Sequence, residues 1–504
     1  MTVITSHCEA RRRCRHECMG GFPVRIYPVS LKAGGSEAGY NRQRRLLAFL
    51  GLRMPIVAPR AETGRNMEKP RPAARVVLSH PGNPPFVQHA ARALQEAGLL
   101  SAYVTTFVYQ HDAALGRCLR GALSLVMRDA DRELSRRAIT EVSHDLVRPH
   151  PLPEIIRMAS VKGAGPITAD RVWEVTEKWF DRLVARRHLD GATAAYAYEH
   201  GALATFTAQK RRGGLCIYDM PITHHATTAA WVDAEFARFP AVESARDRHL
   251  RRLAFRRNAR KDAELALADL VVAASTFTRD SLVRAGTSAE RIVVVPYGAP
   301  PVWDSPAARP RRPFIFLSAG TQSVRKGVHY LLEAWRKLGA PADAELWLIG
   351  AMALPPESIA DLPGKVVIRP SMPRPELFEL YRRAGVLVFP SLCEGFGQVI
   401  TEAMSQGLPV ITTAHTAGPD FIEHGCNGFL VPVRDSERLT ETMQWCLDHS
   451  DAMQEISRAA MERTARWQWS DYRAHLGAAV AQFLDQSGTR PVAPNHPSVA
   501  AEKG

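Results

Sequence analysis

Short apolar runs alternating with helical stretches constrain this chain more than any other feature. "ARVVLS" at 74–79 reads as a strand, "PFVQHAARALQEAG" as a helix and "SAYVTTF" as the next strand. "ATAAYAY", "LCIYD", "LVVAAS" and "RIVVVPYG" continue the series, with helical segments between them. A long charged helical section is expected over 112–190 and a basic helix over 241–268. The series then breaks at the Pro-rich "APPVWDSPAARPRRP", 299–313, and restarts with "FIFLSAG", "ELWLIG", "KVVIR", "VLVFPS", "PVITT" and "NGFLVPV". Strands that each hand over to a helix form parallel sheets covered on both faces. The expected fold is therefore α/β, with two doubly wound Rossmann-like domains facing across a cleft: 67–300, a linker at 301–313, and 314–486. Ligands of such sheets bind beyond the carboxyl ends of the strands.

One stretch falls at such an end. "PSLCEGFGQVITEAMSQGLPVI", 390–411, reads as strand, tight loop, helix and strand, with Glu394 and Glu402 astride Gly395-Phe396-Gly397. Glycines let a backbone approach a ligand closely, and the helix behind them offers free amides and the positive end of its dipole. Glu402, one turn into that helix, could accept hydrogen bonds from a ribose diol. Glu394 could reach a sugar hydroxyl beyond the phosphates. Two acids beside a glycine loop also fit a solvated helix start, so the pair alone leaves both readings open.

Composition narrows the field. No stretch approaches the roughly 20 apolar residues of a membrane-spanning helix. The formal charge of +14 is uneven, because residues 1–66 hold 12 Lys and Arg against 4 Asp and Glu. More than half the excess thus lies in a leader without periodicity, which argues against a nucleic-acid partner. That leader is read as disordered or as a mis-assigned start, since "MEKPRPAARVVLSH" from Met67 opens as an α/β chain does. His7, Cys8, Cys14, His16 and Cys18 invite a zinc reading, but no CxxC pair accompanies them. The remaining cysteines are spaced singly, as buried thiols of a reducing compartment are, so a cytoplasmic chain is expected. Residues from Ser487 onward are read as a disordered tail.

From 74 to 485 the chain resembles the family-4 glycosyltransferases of GT-B fold. The resemblance rests on "SLCEGFGQVITEAMSQGLPVITT", on "HGCNGFLVPVRD" and on "SVRKGVHYLLEAW"; "YEHGALATF", "YDMPITHH" and "VVPYGAP" add to it. It implies transfer of a sugar from a UDP- or GDP-linked donor to an acceptor hydroxyl, with retention, no metal and no further cofactor. The acceptor would be a glycan, a lipid-linked sugar or a small molecule. Carried over by position, Glu394 contacts the donor sugar, Glu402 the ribose and Lys326 the diphosphate. The amides of Gly395, Phe396, Gly397 and Gln398 face phosphate or sugar, and His200, just past a strand, faces the reacting sugar.

The sequence departs from that pattern twice. The first-domain loop carries Gly82 and Asn83 among prolines where relatives have a Gly-Gly pair, and Thr321 stands where many carry an arginine. Arg325, beside Lys326, is expected to supply the missing cation. Asp219, at another strand end, is a candidate acceptor contact, and His224 and His225 read as loop polar residues. The basic run 245–261 suggests an acidic lipid surface or, equally, a solvated helix face. A GT-B nucleotide-sugar epimerase and a silent nucleotide-sugar binder are the alternatives. A Rossmann dehydrogenase is excluded, because no G-x-G-x-x-G follows the first strand.

Overall fold

The computed structural model describes residues 74–109, 137–163, 165–304 and 313–488. The leader, much of the charged section before 137, the centre of the Pro-rich linker and the tail lie outside these residues. The first sheet has seven parallel strands: β1 (Val76–Ser79), β2 (Leu100–Thr105), β3 (Val147–Pro149), β4 (Ala194–Tyr198), β5 (Leu215–Met220), β6 (Leu270–Ala273) and β7 (Ile292–Val294). Their order is β3-β2-β1-β4-β5-β6-β7. The second sheet comprises β8 (Phe314–Ala319), β9 (Ala344–Ile349), β10 (Lys365–Arg369), β11 (Val386–Phe389), β12 (Val410–Thr413) and β13 (Phe429–Val431), in the order β10-β9-β8-β11-β12-β13. The chain therefore reverses direction across each sheet at one place, between β1 and β4 and between β8 and β11. A crevice opens at such a point because the two outgoing loops part to opposite sides.

The strands form because their side chains are apolar on both faces. Val76, Leu78, Phe316, Leu317, Val386, Leu387 and Val388 are fully buried, as parallel strands sandwiched between helices require. The helix Val328–Lys337 buries Val328, Leu331, Leu332 and Trp335, an i, i+3, i+4, i+7 stripe. Each such side chain contributes about 1.5–3 kcal/mol by leaving water. The basic helix Ala245–Leu267 is different: among its residues only Glu264 is buried, and a reciprocal Ser244–Asp247 capping box starts it. β3 was not expected within the charged section, since its sequence is a three-residue edge strand broken by Pro149.

Two segments cross between the sheets. The helix His225–Arg238 leaves the first sheet and places Phe236 in the core cluster of Phe314, Phe316 and Trp335, with Trp231 packed against it. Its Glu235, wholly shielded, accepts from Tyr330 Oη at 2.8 Å and pairs with His329 Nε2 at 2.9 Å and with Arg434. In return the helix Trp469–Gln486 packs on the first-sheet helix Pro85–Glu96. His89 stacks on Trp469 at 4.1 Å, and Arg473 reaches Glu96 at 3.0 Å.

Candidate functional site

The loops leaving β8 and β11, on either side of the second reversal point, carry Arg325 and Lys326 and then Glu394. Gly327 makes the meeting possible. Its φ is +68°, and a Cβ there would lie 1.9 Å from the Pro390 carbonyl oxygen, so only glycine allows the loops to touch. Leu392 N donates to Arg325 O at 3.0 Å, locking them together. Arg325 Nη1 then donates to Glu394 Oε2 at 2.9 Å and to Cys393 O at 3.0 Å. Lys326 Nζ pairs with the same carboxylate oxygen and lies 4.8 Å over the Phe389 ring.

Burial by itself would raise the Glu394 carboxyl. The charges of Arg325 and Lys326 and their hydrogen bonds outweigh it and hold the group at about 2. Burial lowers Lys326, and the neighbouring Arg325 adds to the drop while Glu394 opposes it. Two cations therefore converge on one buried acid, Lys326 sheltered and Arg325 partly exposed, the arrangement that receives a polyanion when the acid gives way.

Behind Glu394 the helix Gln398–Ser405 begins at Gly397, φ +84°. Glu402 is buried in its second turn and pairs with Arg374 Nη2 at 2.5 Å. The same guanidinium donates to Gln398 Oε1 at 2.8 Å. Arg374 was missed by sequence reading.

The loop is docked against the first domain. A Cβ on Gly395 would meet Pro221 O at 2.1 Å, and its carbonyl accepts from Thr278 Oγ1 at 2.9 Å and from Ser275 Oγ. The close approach that glycine permits at 395 is thus made to another part of this chain. The Phe396 side chain is a core group against Tyr297 and Phe421, at ring distances of 5.1 and 5.7 Å. The Phe396 carbonyl accepts from Ala417 N at 2.9 Å, so both its ring and its carbonyl are committed within the fold.

On the first sheet the expected residues separate. Gly82 follows β1 and His200 follows β4, flanking the other reversal point. His200 has φ +71°, sparsely populated for a residue with a side chain. Its N–H donates to Glu264 at 2.9 Å, its carbonyl accepts from Arg260 at 3.1 Å, and its ring meets Trp173 edge-on at 5.2 Å. Burial, followed by the charges of Lys261, Arg257 and Arg260, lowers it to about 3, so the imidazole is neutral.

Asn83 does not offer its side chain to a ligand. Its oxygen accepts from Tyr103 at 2.9 Å and Thr105 at 2.6 Å, and its nitrogen donates to Phe107 O at 3.0 Å. Asp219 is a correction to the acceptor reading. Only 1% exposed, it accepts from Tyr196 Oη at 2.7 Å beneath the strand ends.

Burial raises Asp219 to about 7, against hydrogen bonds from Tyr196 and Tyr198 that pull it down. A carboxyl raised on folding favours the folded state while protonated, below about pH 4, and the advantage fades as pH climbs through 7. Asp219→Asn is accordingly expected to raise the melting temperature at pH 8 and to change it little at pH 4. A uniform shift at both values would contradict this account.

Residues 312–449 match the family model described as "Glycosyl transferases group 1". Arg325, Lys326, Arg374, Glu394 and Glu402 all fall inside that match. A D-inositol 3-phosphate glycosyltransferase of Catenulispora acidiphila is 28% identical over 256 residues, 46% of this chain and 61% of the relative. Its counterpart in Thermobispora bispora is 31% identical over 147 residues, 28% of this chain and 34% of the relative. The sucrose synthase of Melioribacter roseus is 35% identical over 114 residues, 21% and 14% of the two chains. Each match thus spans less than two thirds of the relative's own length.

Among solved structures, the sucrose-phosphate synthase of Thermosynechococcus elongatus superimposes with a TM-score of 0.55 at 19% identity, covering 82% of this chain and all of that one. Anabaena HepE, solved with UDP and glucose, gives 0.51 at 16%, covering 82% and 100%. The fold is GT-B. The Glu394 loop, the Lys326 loop and the helix Gln398–Ser405 all lie at the carboxyl ends of second-sheet strands, and the first of them touches the first domain at Pro221.

Proposed function

We propose that this protein is a glycosyltransferase that moves a sugar from a UDP- or GDP-linked donor to an acceptor hydroxyl, retaining configuration and using no metal at the phosphates. The observation that carries the reading is the convergence of Arg325, Lys326 and Glu394 beside the helix that bears Glu402. As the glycosidic bond lengthens, negative charge gathers on the departing diphosphate and positive charge on the anomeric carbon. Arg325 and Lys326, positioned beforehand by Glu394, meet the first of these, Lys326 from a largely buried site and Arg325 from the pocket's partly exposed rim. The Glu394 carboxylate, freed from its cations by the incoming phosphates, turns to the transferred sugar. Glu402 exchanges its Arg374 contact for the ribose diol. The neutral imidazole of His200 suits a hydrogen bond to a sugar hydroxyl.

The test is incubation with a panel of UDP- and GDP-sugars, with and without acceptor glycans. Acceptor-dependent release of free nucleotide supports transfer, whereas interconversion of the donor sugar would replace it with epimerisation. Within this reading the two acids divide the work. Glu402→Ala is expected to weaken free-nucleotide binding about tenfold or more, the worth of a hydrogen bond to a charged group. Glu394→Ala is expected to spare that affinity and lower kcat. Equal losses of nucleotide affinity would end the division.

A lipid-linked acceptor has separate support. On the helix Ala245–Leu267, Arg248, Arg252, Phe255 and Arg256 are exposed at spacings that share one face, with Phe255 84% exposed. Arginines around a bare aromatic suit an anionic bilayer surface. No described helix is long and apolar enough to cross a membrane. Co-sedimentation with phosphatidylglycerol vesicles should fall sharply in Arg252→Glu/Phe255→Ser; unchanged pelleting would remove the surface from the account.

A further inference from the structure

At the corner where the chain leaves β5, three side chains outside the donor wall converge. His224 caps the helix His225–Arg238, its Nδ1 accepting from Ala226 N at 3.3 Å, which turns Nε2 outward. That nitrogen lies 3.6 Å from Asp262 Oδ1, and His225 Nε2 lies 2.6 Å from the same oxygen. The three ligand atoms fall within 4.8 Å of one another. The adjacent cation, Lys261, is already paired with Glu199 at 3.0 Å, so Asp262 remains available. The two imidazoles are mostly buried, with side-chain exposures of 8% and 15%, while Asp262 is 55% exposed and free to adjust.

We propose that His224, His225 and Asp262 form a divalent transition-metal site, of which Zn2+ is the representative ion. Two imidazole nitrogens and one carboxylate oxygen are a borderline donor set suited to zinc, and too poor in oxygen for Mg2+ or Ca2+. Bonds of about 2.0–2.2 Å in a tetrahedron place ligand atoms about 3.3 Å apart. The pair at 2.6 Å must open and the pair at 3.6 Å close slightly, both within reach of the exposed Asp262. As the ion takes Nε2, the single proton of each neutral imidazole relocates to Nδ1, so no net proton leaves the ring. In His224 this gives up the long contact from Ala226 N to Nδ1. The fourth position is left to water.

The ion would act as a staple. It joins the start of the helix that seats Phe236 in the second domain to the basic helix of the first, four residues beyond Pro221, which abuts Gly395. It is remote in role from the phosphate-binding cations, and the transfer reading does not depend on it.

The experiment is calorimetric titration of the full chain with Zn2+, alongside Asp262→Asn and His225→Gln. The parent should bind one equivalent more than either variant and gain more in melting temperature from the metal. Metal-free melting of Asp262→Asn should match the parent's, which separates lost binding from lost folding. Co2+ bound in the extra equivalent should lack the charge-transfer absorption of thiolate ligands, distinguishing it from the cysteines near the N-terminus. Equal stoichiometry in parent and both variants would overturn the site, as would preference for Mg2+ over Zn2+.

Discussion

Lys326→Ala is expected to abolish transfer in a protein that still folds, and Arg325→Ala to cost about tenfold or more in kcat/KM. The estimate follows from about 1.5–3 kcal/mol for a hydrogen bond to a charged group, with each 1.36 kcal/mol worth a factor of ten. Lys326 is the more sheltered cation, with 16% of its side chain exposed against 38% for Arg325, so its charge is screened less. Although partly exposed, Arg325 donates to Glu394 at 2.9 Å, which favours its taking the place of the arginine replaced by Thr321. Full activity in Arg325→Ala beside a dead Lys326→Ala would reduce the clamp to one cation. The same pair predicts an acid effect. Because Glu394 is held down at about 2, its stabilisation is complete above the usual carboxylate range and is lost as pH falls toward 2. In Lys326→Ala, with Glu394 less depressed, that loss should be smaller and should be finished at a higher pH than in the parent.

The second large effect lies outside the reaction. Glu235→Ala is expected to destabilise the chain by about 3–5 kcal/mol, because it leaves Arg434 and His329 without the buried carboxylate that balances them. Burial works against that carboxylate, and hydrogen bonds from His329 and Tyr330 with the Arg434 charge more than offset it, so its pKa is lowered. Its support is therefore present above the carboxylate range and fades on acidification. A lower urea midpoint for Glu235→Ala, partly recovered in Glu235→Gln, is the expected reading. A midpoint equal to the parent's would show that Trp231 and Phe236 hold the helix by themselves.

Much of this architecture was legible because apolar strand runs and amphipathic helices are local patterns. "ARVVLS", "FIFLSAG" and "VLVFPS" each became a buried strand, and the reversal points placed Lys326 and Glu394 where the loops part. What escaped depends on partners distant in the chain. Asp219 and Asn83 sit at strand ends like ligand-binding residues, yet tyrosines and threonines from other strands claim them. Arg374 begins an ordinary helix after a proline, and its meeting with Glu402 is set by the packing of two helices. The role of Glu235 was invisible, since an acid in "DAEFARFP" reads as a solvated helix residue until His329, Tyr330 and Arg434 are brought to it.

The interleaving of the two domains bears on how the chain is made. A ribosome delivers the N-terminal half first, and domains ordinarily fold as they emerge. Here His329 follows Glu235 by 94 residues, and Arg434 follows Trp231 by 203. Arg473, which closes on Glu96, comes 377 residues after it. During synthesis the first sheet must therefore carry an uncovered Trp231–Phe236 face until the second domain has followed it, and an open flank on the helix Pro85–Glu96 until the helix Trp469–Gln486 appears. A first domain expressed alone would keep both surfaces bare and invite aggregation, so the two halves are better regarded as one biosynthetic unit than as separable modules.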